Sequence, residues 1–270
     1  MSQNHLLRDH APITTGGWAL LDEEARERLV AALAARRLID FSGPHGWEHS
    51  ATNLGRTEPI AEAPCDGVTA LRRRVLPLAE LRAPFTVSRD ELRAGDRGAE
   101  DVDLDALDAA ARNLAVAENT AVFHGWPQAG IEGITEASPH PAVPRDADFD
   151  AYPSHVARAV ELLLRSGIAG PYGLALGTED YTAVIESTEH GGYPLFDHLR
   201  KILGGPIVWS PGVNGAVVLS QRGGDFLFES GQDLAIGYDH HDAQAVHLYV
   251  EESFSFRVAT PEAAVALTPA

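Results

Sequence analysis

Over about residues 17–38, apolar positions recur at three- and four-residue spacing. Trp18, Leu21, Ala25, Leu29 and Leu33 share one face, while Asp22, Glu23, Glu24, Arg26, Glu27 and Arg28 fill the other. That period predicts an amphipathic helix. Acids lead, and Arg36 and Arg37 trail, the order that the helix dipole favours. A second helix is predicted over 104–123, with Leu104, Leu107, Ala111, Leu114 and Val122 as its stripe and Asp103 as N-cap. A third, over 154–166, carries Val156, Val160, Leu163 and Leu164 and stops at Gly167. "TEDYTAVIES" reads as a short helix capped by Thr178. "PLFDHLRKIL" reads as another, with Pro194 in its first turn and Gly204 after its end.

Strand patterns fill most of the rest. "YGLALGT" reads as a buried strand, and "AVVLSQRGGDFLF" as a hairpin around Arg222-Gly223-Gly224-Asp225. "AVHLYVEESFSFRVA" alternates: Val246, Leu248, Val250, Phe254, Phe256 and Val258 face one way, and His247, Tyr249, Glu251, Ser253, Ser255 and Arg257 the other. Residues 41–87 differ, with many Gly and Pro and only short apolar runs. They predict extended strands and turns with little core of their own. Such an excursion docks back on its own domain or on a neighbouring subunit. Helices and strands alternate too irregularly for a doubly wound sheet, so the expected class is α+β.

Composition narrows the possibilities. The 270 residues are 44% hydrophobic, enough for a substantial core in one large or two moderate domains. A net charge of -18 disfavours nucleic acid and anionic membranes as partners and favours cations. No apolar run is long enough for a membrane-spanning helix, and "MSQNHLLRDHAP" lacks the basic and apolar regions of a secretory signal. Cys65 is the single cysteine, so no intrachain disulfide forms. A reducing cytoplasm fits all of this. Lys201 is the single lysine.

Candidate chemistry is sparse. There is no GxxxxGK[ST], GxGxxG or GxSxG. Cys65 lies in the turn-like "EAPCDG", with no helix N-terminus to activate it. Two His/carboxylate clusters stand out. Asp239, His240, His241, Asp242 and His247 form a polar turn between strands, read as solvated loop residues rather than metal ligands. "ESTEHGGYPLFDHL" gathers Glu186, Glu189, His190, Asp197 and His198 around Gly191-Gly192 and Tyr193-Pro194. Spacing alone leaves a metal site, a catalytic loop and an exposed polar loop open there, the polar loop being simplest.

Several segments together resemble the encapsulins, shell proteins of bacterial and archaeal nanocompartments once described as linocin-type bacteriocins. They are "LRDHAPIT", "RRLIDFSGPHGWEHSATNLG", "LPLAELRAPFTVSRDEL", "RGAEDVDL", "GIEGI", "GPYGLAL", "HGGYPL", "RGGDFLFESGQDLAIGY" and "VHLYVEESFSFRVATPEA". They span nearly the whole chain in the family's order.

The resemblance implies the tailed-phage major capsid fold (Hong Kong 97-type). A P-domain would comprise 1–48, 79–133 and 224–257, an E-loop 49–78, and an A-domain 134–223 and 258–270. It implies a closed icosahedral shell of about sixty copies around a cargo enzyme held by a C-terminal targeting peptide. A dye-decolourising peroxidase or a ferritin-like protein would be the cargo, with roles in oxidative stress or iron storage. Arg36, Asp40 and Asp233, beside Leu29 and Leu33, would bind the targeting peptide. Glu189, His190, Gly191, Gly192 and Tyr193 would line a pore at the five-fold axis. No catalytic residue, metal or cofactor is implied: "FTVSRDEL" lacks the Trp that some relatives place against a flavin. Lys201 sits in a predicted A-domain helix, away from the E-loop, so a phage-type Lys–Asn crosslink is not expected. A protease or bacteriocin activity and a prophage capsid are the alternatives.

Overall fold

The computed structural model describes residues 4–146, 149–188 and 192–269. Among these, the strands form two five-stranded sheets and a two-stranded ribbon. The first sheet is built on the long strand β11 (Ala245–Val258). It pairs with β4 (Ala79–Ser88), β10 (Ala235–His241) and β9 (Phe226–Ser230), and β1 (Asp40–Ser42) runs parallel to β9. The second sheet runs β5 (Val143–Arg145), β12 (Ala264–Pro269), β8 (Ala216–Ser220), β6 (Tyr172–Leu176), β7 (Gly204–Trp209). The ribbon pairs β2 (Ala51–Ile60) with β3 (Ala70–Pro77). The helices are α1 (Thr15–Ala32), α2 (Arg89–Asp96), α3 (Asp105–His124), α4 (Ile134–Ala137), α5 (Tyr152–Arg165), α6 (Thr178–Glu186) and α7 (Leu195–Leu203).

Two apolar clusters follow from these layers. One packs Leu21, Ala25 and Leu29 of α1 and Leu107, Ala111 and Leu114 of α3 on Val246, Leu248 and Val250 of β11. The other gathers the second sheet with α5, α6 and α7. Helix α3 joins them: its first turns lie in the first cluster, and Ala121, Val122 and Phe123 lie in the second. Each fully buried Leu or Phe contributes about 2 kcal/mol by leaving water, so α3 ties both cores into one cooperative body. The ribbon shares neither core. Leu71 and Val75 on it remain 57% and 47% exposed, so the excursion predicted over 41–87 lacks a core along the ribbon, whereas its last strand, β4, docks back on the first sheet and buries Phe85 and Val87 in the first cluster.

The helix predicted over 17–38 ends early, at Ala32, and a 3-10 turn covers Ala35–Arg37. The cause is Asn119 on α3, which is fully buried. Its Nδ2 donates to the Ala32 carbonyl at 2.9 Å, and its Oδ1 accepts from the backbone N–H groups of Ala34 and Ala35 at 3.1 and 3.0 Å. The side-chain amide satisfies backbone groups that a continuing helix would have paired internally. Asp103 does accept from Asp105 N at 3.1 Å, but α3 starts one residue later than predicted. Thr178 does not cap α6; Gly177 does, where a Cβ would lie 2.3 Å from the Val213 carbonyl.

The hairpin expected around Arg222–Asp225 is a crossover instead. β8 sits between β12 and β6 in the second sheet, and β9 sits in the first. β8 is buried along its whole length, as a central strand must be. Gly223 and Gly224 take φ of 83° and 81°, and Arg222 forks onto Asp225 at 2.9 and 2.8 Å, fixing the turn between layers. Strand β11 also departs from a half-exposed pattern. Its polar side is covered as well, with Glu251 fully buried and Ser255 at 2% exposure.

Candidate functional site

A groove of about 1160 Å³ opens between α1 and the start of β10. Ala25, Leu29 and Leu33 form one wall, Leu234 and Ile236 the other, and Val250 of β11 contributes from the sheet. Its end is made by Pro44, Gly46, Gly231 and Gln232. The walls are apolar because the helix stripe and the sheet face both contribute to them, and Val30, beside the stripe, is 66% exposed. Leu29, Leu33, Arg36 and Asp233, four of the residues named from the sequence, meet in this groove. Asp40 does not. It lies in a smaller cleft of about 80 Å³, where its Oδ2 accepts from Gly224 N at 2.6 Å.

Arg36 is committed to three carboxylates. Nε contacts Glu118 at 2.7 Å, Nη1 contacts Asp233 at 2.6 Å and Nη2 contacts Glu252 at 2.6 Å. Burial works against its charge, but Glu118 and Glu252 outweigh it and push the guanidinium pKa up. The rings of Phe41 and Phe228 lie 5.1 and 5.3 Å from its Cζ. Sequence patterning did not mark Glu118 or Glu252, yet both break a period. Glu252 shares its face of β11 with Val250 and Phe254, and Glu118 falls on the α3 stripe between Leu114 and Val122. A carboxylate in an apolar register is the signal. At the groove's rim, Arg8 pairs with Asp22 at 2.7 Å and lies 4.0 Å over the Trp18 ring.

The loop after α6 is pinned at its base. Thr188 bridges to Pro194, and Leu195 N donates to the Ser187 carbonyl at 3.2 Å. Glu189, His190 and Gly191 lie outside the described residues. Gly192 has φ of 80° with open space where a Cβ would be. Tyr193 is 38% exposed, with the Lys201 ammonium 4.8 Å from its ring centre. Among the described residues, no three His, Cys, Asp or Glu side chains converge as metal ligands. At the β10–β11 turn the histidines pair locally: His240 stacks on His247 at 4.1 Å, and His241 Nδ1 lies 2.6 Å from the Tyr238 hydroxyl. Among the described residues, no helix is long and apolar enough to cross a membrane.

Residues 3–255 match the family described as "Encapsulating protein for peroxidase". A type 1 encapsulin shell protein of Rhodospirillum rubrum is 49% identical over 98% of this chain and 96% of its own length. The chain belongs to the encapsulin family. A second encapsulin, the type 1 shell protein of Rhodococcus erythropolis, is 42% identical over 97% of this chain and 99% of its own. The fold is the Hong Kong 97-type capsid fold, which the encapsulin-like pattern implied. A virus-like particle from Pyrococcus furiosus superposes with TM-score 0.64 at 18% identity, covering 92% of this chain and 98% of that one. The capsid of an empty GTA particle superposes with TM-score 0.56 at 17% identity, over 88% and 90%.

Proposed function

We propose that this encapsulin self-assembles into a closed icosahedral shell of about sixty copies in the cytoplasm and encloses a cargo enzyme. The observation that carries this is the 49% identity, over nearly the full length, to a type 1 encapsulin shell protein. Its role is structural rather than catalytic. The first sheet with α1, α2 and α3 is the P-domain, the ribbon is the E-loop, and the second sheet with α5, α6 and α7 is the A-domain. The groove beside α1 takes the C-terminal tail of the cargo, a peroxidase or a ferritin-like protein. Its apolar walls and paired charges suit a short peptide with alternate apolar side chains. Glu189, His190, Gly191, Gly192 and Tyr193 gather at the five-fold axis, where a ring of Glu189 carboxylates concentrates cations.

Size-exclusion chromatography and electron microscopy test the shell. A megadalton particle is expected, and a monomer near 28.9 kDa would end this reading. Co-expression with a reporter carrying the neighbouring gene's C-terminal tail tests the groove. Leu29→Asp with Leu33→Asp should leave empty shells. Replacing Glu189 and His190 with Ser should slow ferrous iron entry into loaded shells while sparing neutral solutes.

A further inference from the structure

The floor of the groove holds an arrangement of charge that ordinary ion pairing does not explain. One guanidinium edge, Nε and Nη2 of Arg36, normally takes both oxygens of a single carboxylate. Here Nε takes Glu118 Oε2 and Nη2 takes Glu252 Oε2, at 2.7 and 2.6 Å. Two carboxyl groups are therefore crowded against one edge. The Glu118 side chain is 0% exposed and that of Glu252 1%. The second oxygens, Glu118 Oε1 and Glu252 Oε1, are buried without a hydrogen-bond partner of their own. Asp233 on the other guanidinium nitrogen has a side chain 41% exposed, so water screens it.

We propose that Glu118 and Glu252 share one proton at neutral pH, and that this acid–carboxylate pair positions Arg36, and through it Asp233, on the groove wall. With both ionised, two like charges would lie side by side out of water, facing one cation already engaged by a third carboxylate. One proton removes that repulsion and supplies the missing donor between the two groups. The charged groups that meet there come from four elements: Arg36 from the 3-10 turn, Glu118 from α3, Glu252 from β11 and Asp233 from the loop before β10. The Phe41 and Phe228 rings lie against the Arg36 guanidinium as well. Burial raises the pKa of both carboxyls, and the charge of Glu118 raises that of Glu252 further. Arg36 is thus a positioning residue, and Asp233 is what it presents to the groove.

The sign of the pH effect follows from linkage. Unfolded, both glutamates are ionised at neutral pH; folded, the pair keeps a proton. The pair's contribution to stability is then full below the unfolded glutamate value, falls as pH rises above it, and levels off once the pair's own pKa is passed. A full proton taken up on folding changes the folding equilibrium tenfold per pH unit.

Assembled shells of the wild type and of Glu252→Gln are compared by thermal unfolding from neutral to alkaline pH. The Gln amide replaces the acid O–H as donor and cannot ionise. The wild type should lose stability as pH rises, and Glu252→Gln should remove most of that slope while keeping the neutral-pH midpoint. An equal slope in both overturns the proposal, as does a flat wild type. Glu251→Gln is the control, since that buried carboxyl also has a raised pKa. Should Glu252→Gln not fold, infrared spectroscopy of the Glu251→Gln shell decides. A protonated carboxylic acid carbonyl band is expected at neutral pH and lost on alkalisation, and its absence rules the shared proton out. Affinity for the cargo tail should follow the same pH profile. That last readout rests on the groove reading; the unfolding slope does not, so the two fail separately.

Discussion

His5 lies flat on Trp47, with ring centroids 4.1 Å apart and planes 11° from parallel. The stack fastens the amino-terminal segment to the root of the ribbon. His5 Nε2 also lies 3.2 Å from Glu251. Burial, and then the Arg82 charge, hold the His5 pKa down, so the ring is neutral at neutral pH. A histidine with a depressed folded pKa adds stability above its unfolded value of about 6.5 and loses it as pH falls below that value. Acidification from pH 7 to about 5 should therefore loosen the ribbon root. Limited proteolysis of the ribbon is expected to quicken severalfold over that range. In His5→Phe, which keeps the stack and removes the titration, cleavage should not respond to pH.

Arg56 and Arg74 sit directly opposite each other in the ribbon, while the nearby acid Glu58 pairs with Arg72 at 3.2 Å. Like charges in that register oppose pairing, and Leu71 and Val75 lie exposed on strand β3. On the shell reading proposed above, a ribbon built this way is expected to gain its stability from a surface outside its own chain, that of another subunit. Deleting about ten residues from its middle should abolish closed shells while far-UV circular dichroism keeps its helical signal, since both cores lie elsewhere. Shells of normal size from that deletion would show that the ribbon is not an assembly element.

The sequence carried much of this fold and less of the site. Helices α3, α5 and α7 were legible because each buries a regular stripe, β6 because it is a short apolar run buried throughout, and β11 because apolar and polar residues alternate along it. The crossover at Arg222–Asp225 was not legible. Gly-Gly between two apolar runs suits a hairpin as well as a change of sheet, and the pairing partners lie far along the chain. The early end of α1 was hidden for the same reason: local propensity continues through Ala34 and Ala35, and only Asn119, distant in sequence, stops it. The groove residues Leu29, Leu33, Arg36 and Asp233 came from family resemblance, and the structure brings them to one cleft. What resemblance did not carry was the charge balance beneath Arg36, because a buried glutamate is recognisable only where its register breaks.

Asn119 should be among the most sensitive positions in the chain. It donates to the carbonyls of Ala32 and Pro211 and accepts from Ala34 and Ala35. Asn119→Ala would strand several buried backbone groups, at a cost on the order of 3 kcal/mol. Asn119→Asp should be no milder, because it turns a carboxylate oxygen toward two carbonyls. Chemical denaturation of each variant measures this, and a loss under about 1 kcal/mol in Asn119→Ala would mean that water replaces the amide.

In the second core, Asp180 is buried with Arg145 Nη2 at 2.5 Å and the Tyr152 hydroxyl donating to it at 2.9 Å. These three groups weld β5, α5 and α6 together. Removing one partner of a buried ion pair strands the other, so Asp180→Asn should cost about 3–5 kcal/mol. Tyr152→Phe removes only a neutral donor and should cost about 1–2 kcal/mol. The two effects should not add, because Tyr152 has nothing ionised to donate to once Asp180 is neutral. Burial, and then the Asp180 charge, push the Tyr152 pKa up. Its phenol should accordingly stay protonated while exposed tyrosines ionise, and ultraviolet titration of native shells should show it titrating only on unfolding. In Asp180→Asn, Tyr152 should ionise at lower pH than in the wild type. An unchanged titration there would mean that burial alone, and not the carboxylate, holds the phenol neutral.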